Sequence, residues 1–140
     1  MTVPDVIDPG RLAALRVWCA QHGIQVGALF GSRATGHAHE RSDYDLALTP
    51  APSPTERLDW QAELEAILDR DVDLVFLSPT TDPVLGWEVA RHGRLLYEAQ
   101  PGCWAAWRAR LWHAYNDALP FRRALDESLR RYAIEVRHVS

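Results

Sequence analysis

Lysine is missing altogether: all fifteen basic residues of this 140-residue chain are arginine. That removes any chemistry built on a lysine nucleophile or on the lysine of a phosphate-binding P-loop. Cysteine is scarce as well. Cys19 and Cys103 stand far apart with no cysteine neighbour at metal-ligand spacing, so buried free thiols are expected rather than a disulfide or a zinc site. No apolar run approaches the roughly 18 residues that cross a bilayer. The start Met-Thr-Val-Pro-Asp lacks the basic residues and apolar block of a secretory leader. A cytoplasmic protein with no membrane partner is therefore expected. Internal repeats and low-complexity segments are also lacking.

Charge is present but uneven. Residues 1–100 hold 8 arginines against 15 acids, a balance of −7, while residues 101–140 hold 7 against 4, a balance of +3. An acidic body is a poor partner for a long polyanion, so no direct nucleic-acid substrate is expected and a template-bound polymerase is disfavoured. Hydrophobic and charged fractions of 47% and 24% are those of an ordinary globular chain, and the length suits about one domain with a sizeable core.

Three places pair a helix-capping residue with proline: Asp8-Pro9, Ser53-Pro54 and Asp82-Pro83. Each predicts a helix start, and Glu56 completes a capping-box pattern behind Ser53. The first helix is predicted from Pro9 to His22, with Leu12, Leu15, Trp18 and Cys19 on one face and His22 as a capping or solvated residue. The second is predicted from Pro54 to Asp69 around Trp60, Leu64, Ile67 and Leu68, and the third from Pro83 to His92. Strands are predicted at Ile24–Phe30, Asp43–Leu48, Asp71–Leu77 and, as a short edge, Arg94–Glu98. Strands alternating with amphipathic helices predict an α/β (α+β) fold, a mixed sheet with helices packed on it. Beyond Gln100-Pro101-Gly102, apolar residues recur at three- and four-residue spacing from Trp104 to Tyr115 and from Phe121 to Val136. Two further helices separated near Pro120 are predicted. Trp104, Trp107 and Trp112 are candidates for an interface.

The informative stretch is Gly31-Ser32-Arg33-Ala34-Thr35-Gly36, followed after a polar loop by Ser42-Asp43-Tyr44-Asp45. A Gly-Ser turn directly after an apolar strand suits an anion, because a small residue lets backbone N–H groups approach phosphate oxygens and the hydroxyl adds a donor. On a strand, Asp43 and Asp45 point to one face. Two carboxylates held side by side are costly unless a cation stands between them. Phosphate and divalent cation together indicate a nucleotide. Asp71 and Asp73 share a face of the third predicted strand, and either is a candidate third acid. His37 and His39 form a His-x-His pair, but no third ligand is evident and zinc is not expected there.

Gly-Ser, ten residues, then Asp-x-Asp resembles the signature of nucleotidyltransferases that share the DNA polymerase β catalytic fold. The short chain further resembles the minimal nucleotidyltransferase antitoxins that accompany HEPN-type toxins in prokaryotes. Asp71-Val72-Asp73-Leu74-Val75 is similar to the strand carrying that family's third carboxylate, and the resemblance favours Asp73. It implies a polymerase β-like catalytic domain over residues 1–100 and a helical extension, 101–140, packed on it. It also implies that Gly31 and Ser32 hold the triphosphate and that Asp43, Asp45 and Asp73 are catalytic residues and Mg²⁺ ligands, two ions being usual. Asp73 would help orient or deprotonate the acceptor hydroxyl, and Arg33 is a looser nucleotide-binding candidate. Tyr44, between the acids, and Thr35 depart from the family pattern without removing a ligand.

The expectation is an enzyme that moves AMP from ATP to a tyrosine hydroxyl of a cognate HEPN ribonuclease toxin and so neutralises it. Two alternatives stay open: an antitoxin that occludes the toxin by binding, and a small-molecule transferase of the aminoglycoside-modifying kind. The second usually carries a larger acceptor domain than forty residues allow.

Overall fold

The computed structural model describes residues 7–31 and 43–139. In chain order it forms α1 (Pro9–Gln21), β1 (Val26–Phe30), β2 (Tyr44–Thr49), α2 (Arg57–Leu68), β3 (Val72–Phe76), α3 (Pro83–His92), β4 (Arg94–Glu98) and α4 (Cys103–Val139). The two Asp-Pro starts work as capping chemistry requires. Asp8 accepts from the backbone N–H groups of Gly10 and Arg11, and Asp82 accepts from those of Val84 and Leu85, satisfying donors that have no partner within the first turn. Ser53-Pro54 behaves differently. Its carbonyl accepts the Glu56 N–H and its hydroxyl meets Thr55 Oγ1 at 3.1 Å. The segment becomes a turn, the capping box does not form, and α2 starts at Arg57 without a side-chain cap.

The four strands lie in the order β3-β2-β1-β4. β1 is antiparallel to both β2 and β4, while β2 and β3 run parallel. β4 is thus an edge strand, and so is β3. Alternation divides the core into two layers. On one face Leu29, Leu46, Leu48 and Leu96 pack against Leu12, Leu15 and Trp18 of α1 and Trp60 and Leu64 of α2. On the other, Val26, Phe30 and Ala47 meet Val89 and Ala90 of α3 and Trp107 and Leu111 of α4. Each such buried aliphatic contributes about 1.5–3 kcal/mol. Cys19 lies in the first layer, where burial pushes its thiol up to about 12.

Arginine does the fastening that long cations can do. Arg11 donates to the Ile67 carbonyl, Arg16 to Leu96 and Arg108 to Ala90, at 2.9, 2.9 and 3.0 Å, each tying a helix to its neighbour. α3 and α4 approach closely because Gly86 lacks a side chain; a Cβ there would stand 2.9 Å from Leu111 Cδ2. His22 caps α1, with its Nδ1 2.7 Å from the Trp18 carbonyl and its ring stacked on Trp18.

α4 corrects the prediction of two helices. It is one helix of 37 residues with Pro120 inside it, about 55 Å long. Pro120 forfeits one backbone hydrogen bond, but the alanines, leucines, arginines and glutamates around it are good helix formers and the helix continues. Glu98 accepts from the Trp104 N–H at 3.0 Å, placing an acid at the helix's positive end. Of the three candidate interface tryptophans, Trp107 is buried, Trp104 is half-buried and Trp112 is exposed. Among the described residues, no helix is long and apolar enough to cross a membrane.

Candidate active site

Register brings the signature residues to one end of the sheet. Phe30, the last residue of β1, is the cross-strand partner of Asp45 on β2, and Asp45 is level with Asp73 on β3. Gly31, directly after β1, and the two acids therefore lie on three adjacent strands at the same end. Alternation sends Asp45 and Ala47 to the face under α3 and α4, while Tyr44 and Leu46 enter the opposite layer. That explains an aromatic residue between two acids: Tyr44 is a buried core residue and takes no space from them.

Gly31 has φ +74°, and a Cβ built on it would run into the Asp45 carboxylate. Two requirements coincide there: a left-handed backbone and room for an acid. The Asp45 carboxyl is pushed above the usual carboxylate range, first by burial, then by the charges of Asp73 and Asp43, and by a hydrogen bond with Asp73. Burial disfavours its charged form and two neighbouring anions add to that cost. Asp43 and Asp73 are exposed, so the three acids grade from an open rim to a half-buried centre. Asp71 is also exposed and stands just before β3; its backbone carbonyl accepts the Tyr44 N–H at 3.0 Å. Asp73, not Asp71, is the acid paired with Asp45.

The donor set suits a hard divalent cation, since it consists of carboxylate oxygens and two further acids crowd the central one. Among the described residues, no three His, Cys, Asp or Glu side chains already form a closed metal-binding group. The arrangement is an Asp45–Asp73 pair with the Asp43 charge nearby. Ser32, Arg33, His37 and His39 lie outside the described residues. Phe30 is the site neighbour that sequence reasoning missed: it reads as one more apolar strand residue, and only the register sets it against Asp45.

A groove of about 510 Å³, lined by Gln25, Gln100, Cys103, Trp107 and Arg110 among others, opens at the opposite end of the sheet, where Val26 pairs with Glu98. It contains no acid, so the acids, not the cavity volume, locate the candidate chemistry.

Residues 16–102 match the family model described as polymerase beta, nucleotidyltransferase. A protein adenylyltransferase MntA of Shewanella oneidensis is 35% identical over 79 residues, covering 55% of this chain and 56% of that protein. The chain thus spans about half the length of this curated relative. Among solved structures, a toxin–antitoxin crystal structure with AMP-PNP superposes with a TM-score of 0.72 at 24% identity, covering 84% of this chain and 97% of that one. A tri-AMPylated Shewanella oneidensis HEPN toxin in complex with its MNT antitoxin gives 0.65 at 22%, covering 85% and 95%.

Proposed function

The chain belongs to the polymerase β nucleotidyltransferase family, and we propose that it is a protein adenylyltransferase that neutralises a HEPN-type toxin by transferring AMP from ATP to a tyrosine hydroxyl. The observation that carries this reading is the Asp45–Asp73 pair, charged further by Asp43 and set against the Gly31 turn. The names of its relatives, an adenylyltransferase and an antitoxin bound to an AMPylated HEPN toxin, support the choice of nucleotide and acceptor. In this reading residues 1–100 carry the catalysis and residues 101–140 are a helical extension of it.

The transfer balances simply. The acceptor oxygen bonds to the α-phosphorus of ATP, the bond from that phosphorus to pyrophosphate breaks, and the hydroxyl proton passes to the Asp73 carboxylate. Asp43, Asp45 and Asp73 would hold Mg²⁺, which when bound offsets the charge developing on the phosphate oxygens. Gly31, directly after β1, is assigned to the triphosphate. Ser32 and Arg33 follow it in the chain and are assigned to the same phosphates. Asp73, on an edge strand and exposed, is the acid an incoming protein side chain can reach.

The test mixes the full chain, α-labelled ATP and Mg²⁺ with the toxin encoded beside it. Label on the toxin is expected, lost with Asp43→Asn plus Asp45→Asn and lost when Mg²⁺ is chelated. An unlabelled toxin sinks the proposal. The same double variant separates transfer from occlusion, because it still protects cells if binding suffices.

A further inference from the structure

β3 is an edge strand, and its backbone groups divide into two rows. The Asp71 carbonyl accepts the Tyr44 N–H and the Leu77 N–H donates to the Leu48 carbonyl, so in this parallel ladder Asp73 and Val75 also turn their N–H and C=O groups toward β2. Those of Val72, Leu74 and Phe76 point outward, away from β2. Gln61 of α2 covers the first position, donating from its side-chain amide to the Val72 carbonyl. Among the described residues, Leu74 and Phe76 find no such partner for their outward groups. A row of open donors and acceptors is a template for one more strand.

The position of Asp73 indicates which strand. Its own backbone bonds go to β2, so a strand added antiparallel forms a non-hydrogen-bonded pair there, the arrangement that brings opposed side chains closest. The added residue level with Asp73 projects from the same face as Asp73 and Asp45. β2 flanks Asp73 on its other side, which leaves the edge as the open one. A tyrosine at that level is long enough to carry its hydroxyl past the carboxylates to a nucleotide lying over them; serine and threonine are not. Charge narrows the choice of chain. Asp43, Asp71 and Asp73 are exposed, and among the described residues no arginine pairs with Asp71 or Asp73. A second copy added in the same antiparallel manner would bring its own Asp71 and Asp73 to that face, where like charges oppose it. A segment bearing positive charge is drawn there instead.

We infer that the acceptor protein docks by laying an extended, positively charged segment antiparallel along residues 74–76 of β3, with its tyrosine level with Asp73. Main-chain hydrogen bonds to Leu74 and Phe76 hold the segment, and the level of Asp73 selects the residue that is modified. The role of that tyrosine rests on the transferase reading, whereas the docking itself needs no chemistry.

Amide hydrogen exchange of the full chain, alone and with an excess of the toxin encoded beside it, reads the docking without requiring transfer. The toxin is expected to slow exchange at Leu74 and Phe76 by at least about tenfold. Two substitutions then separate backbone from side chain. Leu74→Ala and Leu74→Pro both remove the leucine, but only proline also removes the outward N–H, at a position where the ladder to β2 loses nothing. Leu74→Pro is expected to label the toxin at least about tenfold more slowly than Leu74→Ala, with similar urea unfolding midpoints for the two. Asp71→Asn is expected to raise the toxin concentration for half-maximal labelling about threefold or more, with that for ATP unchanged. A labelled toxin that leaves both amides unprotected, equal labelling by the two Leu74 variants, or an Asp71→Asn chain that needs no more toxin than the parent overturns the docking and leaves the transferase reading standing. Protected amides beside a toxin that takes no label support the docking and defeat that reading.

Discussion

The face of the sheet that lies under α3 and α4 has two ends built on opposite terms. At one end Trp107, Leu111, Val89 and Val26 are buried together, and Gly86 lets the two helices close on each other. At the other, Asp45 is half-buried against two more acids and pushed toward its neutral form. The packed end stabilises the fold. The acidic end gathers like charges at an electrostatic cost that a divalent cation would relieve.

The contrast can be broken at either end. The largest effect is expected for Asp45→Asn, which should lower toxin labelling by at least about a hundredfold, read as initial rate. Leu111→Ala should do the reverse. Removing that buried side chain beside Gly86 costs about 2–4 kcal/mol in urea unfolding, with the labelling rate per folded molecule unchanged. Gly31→Ala combines a stability cost with a change at the acids, since its positive φ strains any side chain and its Cβ meets Asp45. A loss of roughly 1–2 kcal/mol in the same urea titration is expected together with weaker labelling.

The smallest effect has the most distinctive sign. A carboxyl whose pKa is raised on folding binds its proton more tightly in the native state, so stability falls as pH rises. For Asp45 the decline begins above the ordinary aspartate value and is complete once pH exceeds the raised one. Asp45→Asn, which cannot ionise, should remove that decline and melt up to about 2 °C higher than the parent near neutral pH, without added Mg²⁺. A variant that is both more stable and inactive would sharpen the comparison; one that is less stable would break it.

Much of this was legible in the residues. The Asp8-Pro9 and Asp82-Pro83 starts, the four strands and the mixed sheet follow from capping chemistry and periodicity, which act over neighbouring residues. The family resemblance of Gly31-Ser32 and Asp43-x-Asp45 agrees with the match over residues 16–102. Other features resisted reading because distant partners decide them. Ser53 and Glu56 have the spacing of a capping box, yet the chain turns through 54–56 and α2 begins later. Pro120 signals a break, yet the helix passes through it. Asp71 and Asp73 are alternate residues on one face, and only the parallel register with β2 sets Asp73 beside Asp45.

By itself, then, the order of residues determined most of the helix and strand segments and singled out the acids proposed for the chemistry, since these depend on side-chain type and short spacing. Tertiary structure alone decided that Phe30 faces Asp45, that Tyr44 turns into the core and that half of α4 stands clear of the body. Those outcomes depend on strand register and on where each helix packs on the sheet, and neither is encoded within any single stretch of chain.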